Sequence, residues 1–164
     1  MPRRESGNRE QAMWFDNQFA EAFNALMARG GANAVHEGNE TGVFRLVADG
    51  VPVTFVIRQE NPEIVYCHAI IGSLGGLARR DLVLKQALEA NFFWLGNAGS
   101  TVSLLADSDE LMLGDRRDAS YFADGQALAD YLGAFVGAVR AWRMRLDGWR
   151  TAPGEAKAGE GVRS

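Results

Sequence analysis

Two histidines, one cysteine and a short run of carboxylates are the residues of this chain best suited to chemistry. A zinc site needs several His, Cys or carboxylate groups converging on one point. His36 falls in a polar stretch, and His68 follows Cys67 directly in a segment of β character. Neighbouring strand residues point to opposite faces, so His68 cannot act as a base for the Cys67 thiol. The pair reads more simply as a hydrogen-bonded histidine and a small buried hydrophobe. Asp107, Asp109 and Glu110 begin like a calcium loop, but the sixth and twelfth places, where an EF-hand needs Gly and Glu, hold Met112 and Asp118. Gly72-Ser73-Leu74-Gly75-Gly76 precedes a helix yet lacks the Gly-Lys-Ser/Thr ending of a phosphate loop, and it reads as a connector. No nucleophile sits in a Gly-x-Ser-x-Gly or Ser-x-x-Lys setting. The expectation is a binding protein, with no catalytic residue, no metal and no cofactor.

The bulk properties agree with that expectation. A chain of 164 residues, 47% hydrophobic and 23% charged, is one globular domain by size and composition. Nothing in it approaches the roughly 20 consecutive apolar residues of a membrane span. The opening Met-Pro-Arg-Arg-Glu-Ser-Gly-Asn-Arg-Glu lacks the apolar core of a signal peptide. A single cysteine forbids an intrachain disulfide and fits a reducing compartment, so a cytoplasmic location is expected. A net charge of −4 is a poor match for phosphate backbones, which excludes generic nucleic-acid binding. Arg140, Arg143, Arg145 and Arg150 read as complements to the C-terminal end of a helix dipole.

The elements that position these residues follow from periodicity. Asn8 and Gln11 resemble a capping box ahead of a first helix. Phe15, Phe19, Ala22, Phe23 and Leu26 mark its buried stripe, Trp14 and Met27 lie off that stripe, and Arg29-Gly30-Gly31 ends it. After a polar loop (33–41) the period becomes two. Phe44, Leu46 and Ala48 alternate with Val43, Arg45 and Val47; Asp49-Gly50 makes a tight hairpin; Val51, Val53, Phe55 and Ile57 continue. A third strand spans 63–71, apolar on both faces, and completes an antiparallel meander. Asp81 is placed to cap a central helix. A later hairpin pairs 101–105 with 110–114. The last helix starts near Asp124 and presents Leu128, Tyr131, Leu132, Phe135, Val136, Val139, Trp142 and Leu146 on one face. Gly133 and Gly137 within it each cost about 1 kcal/mol relative to Ala; they mark either close packing against another backbone or a tolerated weakness. The fold class is therefore α+β in the order α-β-β-β-α-β-β-α, a twisted antiparallel sheet packed by helices. Residues 1–9 are expected to be flexible, 10–148 to form the domain, and 149–164 to be a disordered tail.

The central helix, 82–95, has little polar surface. Lys85, Gln86, Glu89 and Asn91 are its only charged or amide residues, and Phe92, Phe93 and Trp94 close it in three directions. A helix apolar nearly all round needs cover on more than one side, which predicts a homodimer through this helix. The run Leu88 to Leu104, Leu-Glu-Ala-Asn-Phe-Phe-Trp-Leu-Gly-Asn-Ala-Gly-Ser-Thr-Val-Ser-Leu, resembles the central segment of type III secretion chaperones of the Tir-chaperone (CesT) family. The order of elements extends the resemblance over about residues 10 to 147.

The resemblance implies a cytoplasmic, ATP-independent bacterial chaperone linked to virulence. Such a chaperone binds the N-terminal segment of one or more secreted effectors and keeps it extended for delivery, with the secretion ATPase as a further implied contact. It implies a dimer interface at Leu84, Leu88, Asn91, Phe92 and Leu95. It places effector contacts at Trp14 and Met27 and at outward strand residues such as Val43, Val47, Val56 and Val102; for any one valine, ordinary β-propensity is the simpler reading. Alternatives are a small-ligand (acyl) carrier or hotdog-like enzyme, and a chaperone-like regulator without a secretion role. A hotdog domain wraps one long helix in a bent sheet, whereas this chain has three helices and two strand groups.

Overall fold

The computed structural model describes residues 18–30, 33–35, 42–58, 63–92 and 97–151. Helix α1 (Gln18–Ala28) buries Phe19, Ala20, Ala22, Phe23 and Leu26. It ends where Gly30, at φ 74°, donates its N–H to the Met27 carbonyl at 3.1 Å. The expected cap at Asn8, and Trp14 and Phe15, lie outside the described residues.

Five expected strands form, and a sixth joins them. Strands β1 (Asn33–Val35), β2 (Val43–Ala48), β3 (Val51–Arg58), β4 (Ile64–Ser73), β5 (Thr101–Leu105) and β6 (Glu110–Asp118) make one antiparallel sheet in the order β1-β2-β3-β4-β6-β5. Strand β1 pairs Asn33 with Val47 and Val35 with Arg45, inside a stretch expected to be loop. Three residues are too short a run for alternation to register. At the β2–β3 hairpin Asp49 and Gly50 both take positive φ, 48° and 75°, as a type I′ turn requires. The later hairpin docks with β6, not β5, against β4, because Leu111 and Leu113 of β6 are fully buried. Strand β6 runs to Asp118, past the expected end at Gly114.

Alternation sorts the sheet into two faces. Phe44, Leu46, Val53, Phe55, Val65, Cys67, Leu111 and Leu113 face inward and are buried. Helix α3 (Gly125–Thr151) covers that face together with α1, and every residue of its expected stripe is buried. Rings interlock there, with Phe19 lying 5.3, 5.1 and 5.2 Å from Phe44, Phe55 and Phe122. The two helices meet at Gly125, where a Cβ would stand 2.9 Å from the Cβ of Ala25. Asp124 caps α3, accepting from the N–H groups of Gln126 and Ala127 at 2.8 and 2.9 Å. These bonds hold its carboxyl below the usual carboxylate range.

Three expectations change. The central helix, α2 (Arg80–Asn91), ends at Asn91, with Phe92 already extended; Phe93 to Leu95 lie outside the described residues. Its N-cap is Arg79, and Asp81 sits in the first turn without a capping bond, near the positive end of the helix dipole. Helix α3 carries on past the expected boundary at 149. Trp149 packs on the core, Arg150 donates to the Ser73 carbonyl, and Thr151 Oγ1 donates to the Asp147 carbonyl at 3.1 Å. Residues 152–164 lie outside the described residues. A Cβ at Gly133 or Gly137 would meet nothing within 4 Å among the described residues, so no described backbone packs on them.

Candidate protein-binding surfaces

The residues first singled out for chemistry do not converge. Cys67 is 2% exposed on the inner face, and burial pushes its thiol well above the ordinary range. Its register partner Asp115 is turned inward too, accepting from Tyr131 Oη at 3.1 Å and Arg117 Nε at 2.9 Å. Burial likewise raises the Tyr131 phenol, helped by Cys67 and Asp115. This cluster ties β4, β6 and α3 together beneath the sheet. His68 stands on the opposite face, as alternation requires, and His36 lies outside the described residues. Among the described residues no group of three His, Cys, Asp or Glu side chains is placed to hold a metal, and no helix is long and apolar enough to cross a membrane.

Partial burial, and then the Arg45 charge, lower the His68 pKa from 6.5. The unfolded chain therefore takes up a proton at a higher pH than the folded one, and stability falls as pH drops through about 6.5 toward the depressed folded value. Thermal unfolding at pH 7.5 and 5.5 is expected to show this loss, and His68→Gln to reduce it. An unchanged pH slope in the variant would remove His68 as the cause.

Helix α2 lies along β5, the edge strand, and Asn91 closes that edge. Its amide accepts from the Val102 N–H at 2.8 Å and donates to the Val102 carbonyl at 2.9 Å, as a neighbouring strand would. Asn97, fully buried, donates to the Ala90 carbonyl at 3.1 Å and accepts from Trp142 Nε1 at 2.9 Å. One chain of hydrogen bonds thus links α3, the turn before β5, the end of α2 and the sheet edge. The resemblance implies Asn91 at the dimer interface and does not single out Asn97. The Asn-aromatic-Gly-Asn spacing was the available signal.

The remaining residues of the expected interface divide. Val83 and Ala87 face the core, Leu84 is half-buried against it, and Leu88 and Phe92 are 73% and 69% exposed. Leu84, Leu88 and Phe92 repeat every four residues and so share one side of α2. Leu104 on neighbouring β5 is a further exposed apolar residue, and Leu95 lies outside the described residues. The helix is therefore two-sided, with Lys85 and Glu89 paired at 3.8 Å on its surface.

Of the expected effector contacts, Val43, Val47 and Val56 lie half-exposed on the open face of the sheet, and Met27 packs partly on the core. Trp14 is outside the described residues. Val102 is a correction. It pairs with inward-facing Leu113 and is itself 6% exposed, so it belongs to the core and not to an outward surface. The open face is further lined by Tyr66, His68, Ile70 and Met112.

This architecture, a helix-backed antiparallel sheet with one open face, is the fold of solved type III secretion chaperones. Residues 34–143, most of the chain, match the Tir chaperone protein (CesT) family, and the chain belongs to that family. No curated protein matches it in sequence. Solved structures of the same fold include the ExsC–ExsE complex (TM-score 0.61, 17% identity, covering 79% of this chain and 92% of that one). Another is the HopA1–SchA chaperone–effector complex (0.53, 14%, 78% and 98%). A third is the Yersinia pestis type III secretion chaperone SycH in complex with a stable fragment of YscM2 (0.56, 17%, 76% and 98%).

Proposed function

We propose that the protein works in the bacterial cytoplasm as a homodimeric type III secretion chaperone, without catalytic chemistry. It binds the N-terminal segment of one or more effectors and keeps it extended for delivery to the secretion apparatus. The observation that carries this reading is the sheet. Its inner face is sealed by α1 and α3, while Val43, Val47, Val56, Tyr66, Ile70 and Met112 stay half-exposed on the other side. Apolar strand surface of this kind suits an amphipathic segment recognised by alternate side chains, which tolerates sequence variation among clients. Membership of a chaperone family and likeness to folds solved with bound partners support the reading.

The test is coexpression with N-terminal fragments of effectors encoded nearby, scored by copurification, protease protection and secretion. A stable complex is expected. Trp14→Glu should weaken it while the dimer persists, and Cys67→Ser should scarcely change it. Turnover of a small substrate that is lost on mutating His68 would replace this reading with an enzymatic one.

A further inference from the structure

Strands β3 and β4 part early. β3 begins at Val51 and β4 runs to Ser73, yet their pairing ends with Thr54 opposite His68, although register would put Pro52 opposite Ile70. Parity identifies the cause. The two-residue turn makes Ala48 and Val51 the closing pair of the first hairpin, so Val51, Val53, Phe55 and Ile57 turn their main-chain groups toward β2. The Ile57 N–H agrees, donating to the Gly42 carbonyl at 2.8 Å. Pro52, Thr54 and Val56 therefore turn theirs toward β4, and Pro52 has no N–H to give. The Ile70 carbonyl is left without the ladder donor that His68 and Tyr66 receive from Thr54 and Val56.

Arg143, one of the four late arginines of α3, supplies a donor. Its Nη2 donates to the Ile70 carbonyl at 2.8 Å. The end of β4 is shaped to bring the helix close. The strand carries a bulge between Ile70 and Gly72, and a Cβ at Gly72 would stand only 2.9 Å from Leu146 Cδ2. Arg150 donates to the Ser73 carbonyl in the same way, so α3 holds this strand end through two guanidinium groups. Where β3 and β4 part, a recess of about 370 Å³ opens, and Thr54, His68, Ile70, Met112 and Arg143 are among its walls. His68, Ile70 and Met112 belong to the open face of the sheet. We propose that Arg143 is a surrogate ladder donor for Pro52, and that this bond positions Ile70 and its neighbours on the client face. The donor role stands on the main-chain geometry alone, whereas the positioning role rests on the chaperone reading above.

The test is a double-variant cycle in the full chain, read by thermal unfolding and amide exchange. Arg143→Met keeps the aliphatic stem and removes the donors. It should lower the melting temperature by about 5 °C and speed exchange at His68 and Ile70. Pro52→Val restores a main-chain N–H opposite Ile70 at an exposed position. In the Pro52→Val background, Arg143→Met should cost less than half as much. Arg143→Lys, which keeps one charged donor, should fall between wild type and Arg143→Met. A side chain that only filled space would lose the same amount whatever stood at position 52, so strict additivity would overturn the donor role. If Arg143→Met alone does not fold, recovery of the fold with Pro52→Val is the supporting result and continued unfolding the opposing one. For the client face, Arg143→Met should weaken binding of the effector fragment from the coexpression test by about threefold, and Pro52→Val should restore it. Rescue of melting with fragment binding unchanged throughout would keep the donor and overturn the positioning role. A wild type that binds no fragment would end the chaperone reading and the positioning role together, while the melting cycle still decides the donor.

Discussion

Leu88→Asp is expected to convert the proposed dimer into a folded monomer of about half its mass. Leu88 is 73% exposed in the single chain and touches no core, so a carboxylate there costs the chain little. In a dimer through α2 the same carboxylate would be buried against Leu84, Leu88 and Phe92 of the second copy without a partner, at several kcal/mol. Two such sites meet across a two-fold axis, so the penalty enters twice. Light scattering should give twice 17.9 kDa for the wild type and 17.9 kDa for the variant, with the same far-ultraviolet dichroism. A variant that keeps the dimer mass would move the interface away from α2. One that unfolds would show that the helix cannot stand in water without its partner. From the sequence, dissociation and misfolding were equally open outcomes; the exposure of Leu88 separates them.

Asn97→Ala should produce the largest loss of stability of any single polar truncation in the domain. Asn97 and Trp142 are both fully buried, and the substitution strands the Trp142 indole N–H away from water and takes the side-chain donor from the half-buried Ala90 carbonyl. Each orphaned buried group costs about 1–3 kcal/mol, so a total of about 3 kcal/mol is expected. For a domain of this size that lowers the melting temperature by about 10 °C. Trp142→Phe removes the donor, and the double variant should lose less than the two single losses added together. Strict additivity would show that the Asn97–Trp142 bond contributes nothing of its own. Asn97→Ala should also loosen Asn91 and with it the closure of β5, visible as faster amide exchange at Val102.

The secondary structure and the inner core were legible in the sequence because both rest on local rules. The spacing of Phe19, Phe23 and Leu26, the Asp49-Gly50 turn and the long stripe from Leu128 to Leu146 each state a period, and burial in the structure follows those periods. The opposite orientations of Cys67 and His68 needed only strand alternation. The run from Leu88 to Leu104 was enough to place the chain in its family.

What depends on pairing between distant segments was not legible. Val102 was assigned to the wrong face because a five-residue strand of mixed character carries no usable alternation. Only its register with Leu113 settles the face. The central helix read as apolar on every side. Its packing along β5 buries Val83 and Ala87, partly covers Leu84, and leaves Leu88 and Phe92 outside. Composition cannot distinguish these two classes of leucine, since both are equally hydrophobic and differ only in what stands opposite. The two main-chain partners that the edge of β5 supplies to the Asn91 amide could not be read from the sequence either. The open hollow at Gly114, lined by Tyr66, His68, Thr101 and Met112 on the open face of the sheet, is the extreme case. It exists because five strands bring Arg45, Thr54, His68, Gly114 and Thr101 into one row, and no property of a glycine in a linear chain announces the side chains that will surround it. The sequence by itself determined most of the elements and the buried stripes, through local periodicity, and the family, through the resemblance carried by the run from Leu88 to Leu104. Which surfaces remain open was decided by long-range register, which the chain acquires only on folding.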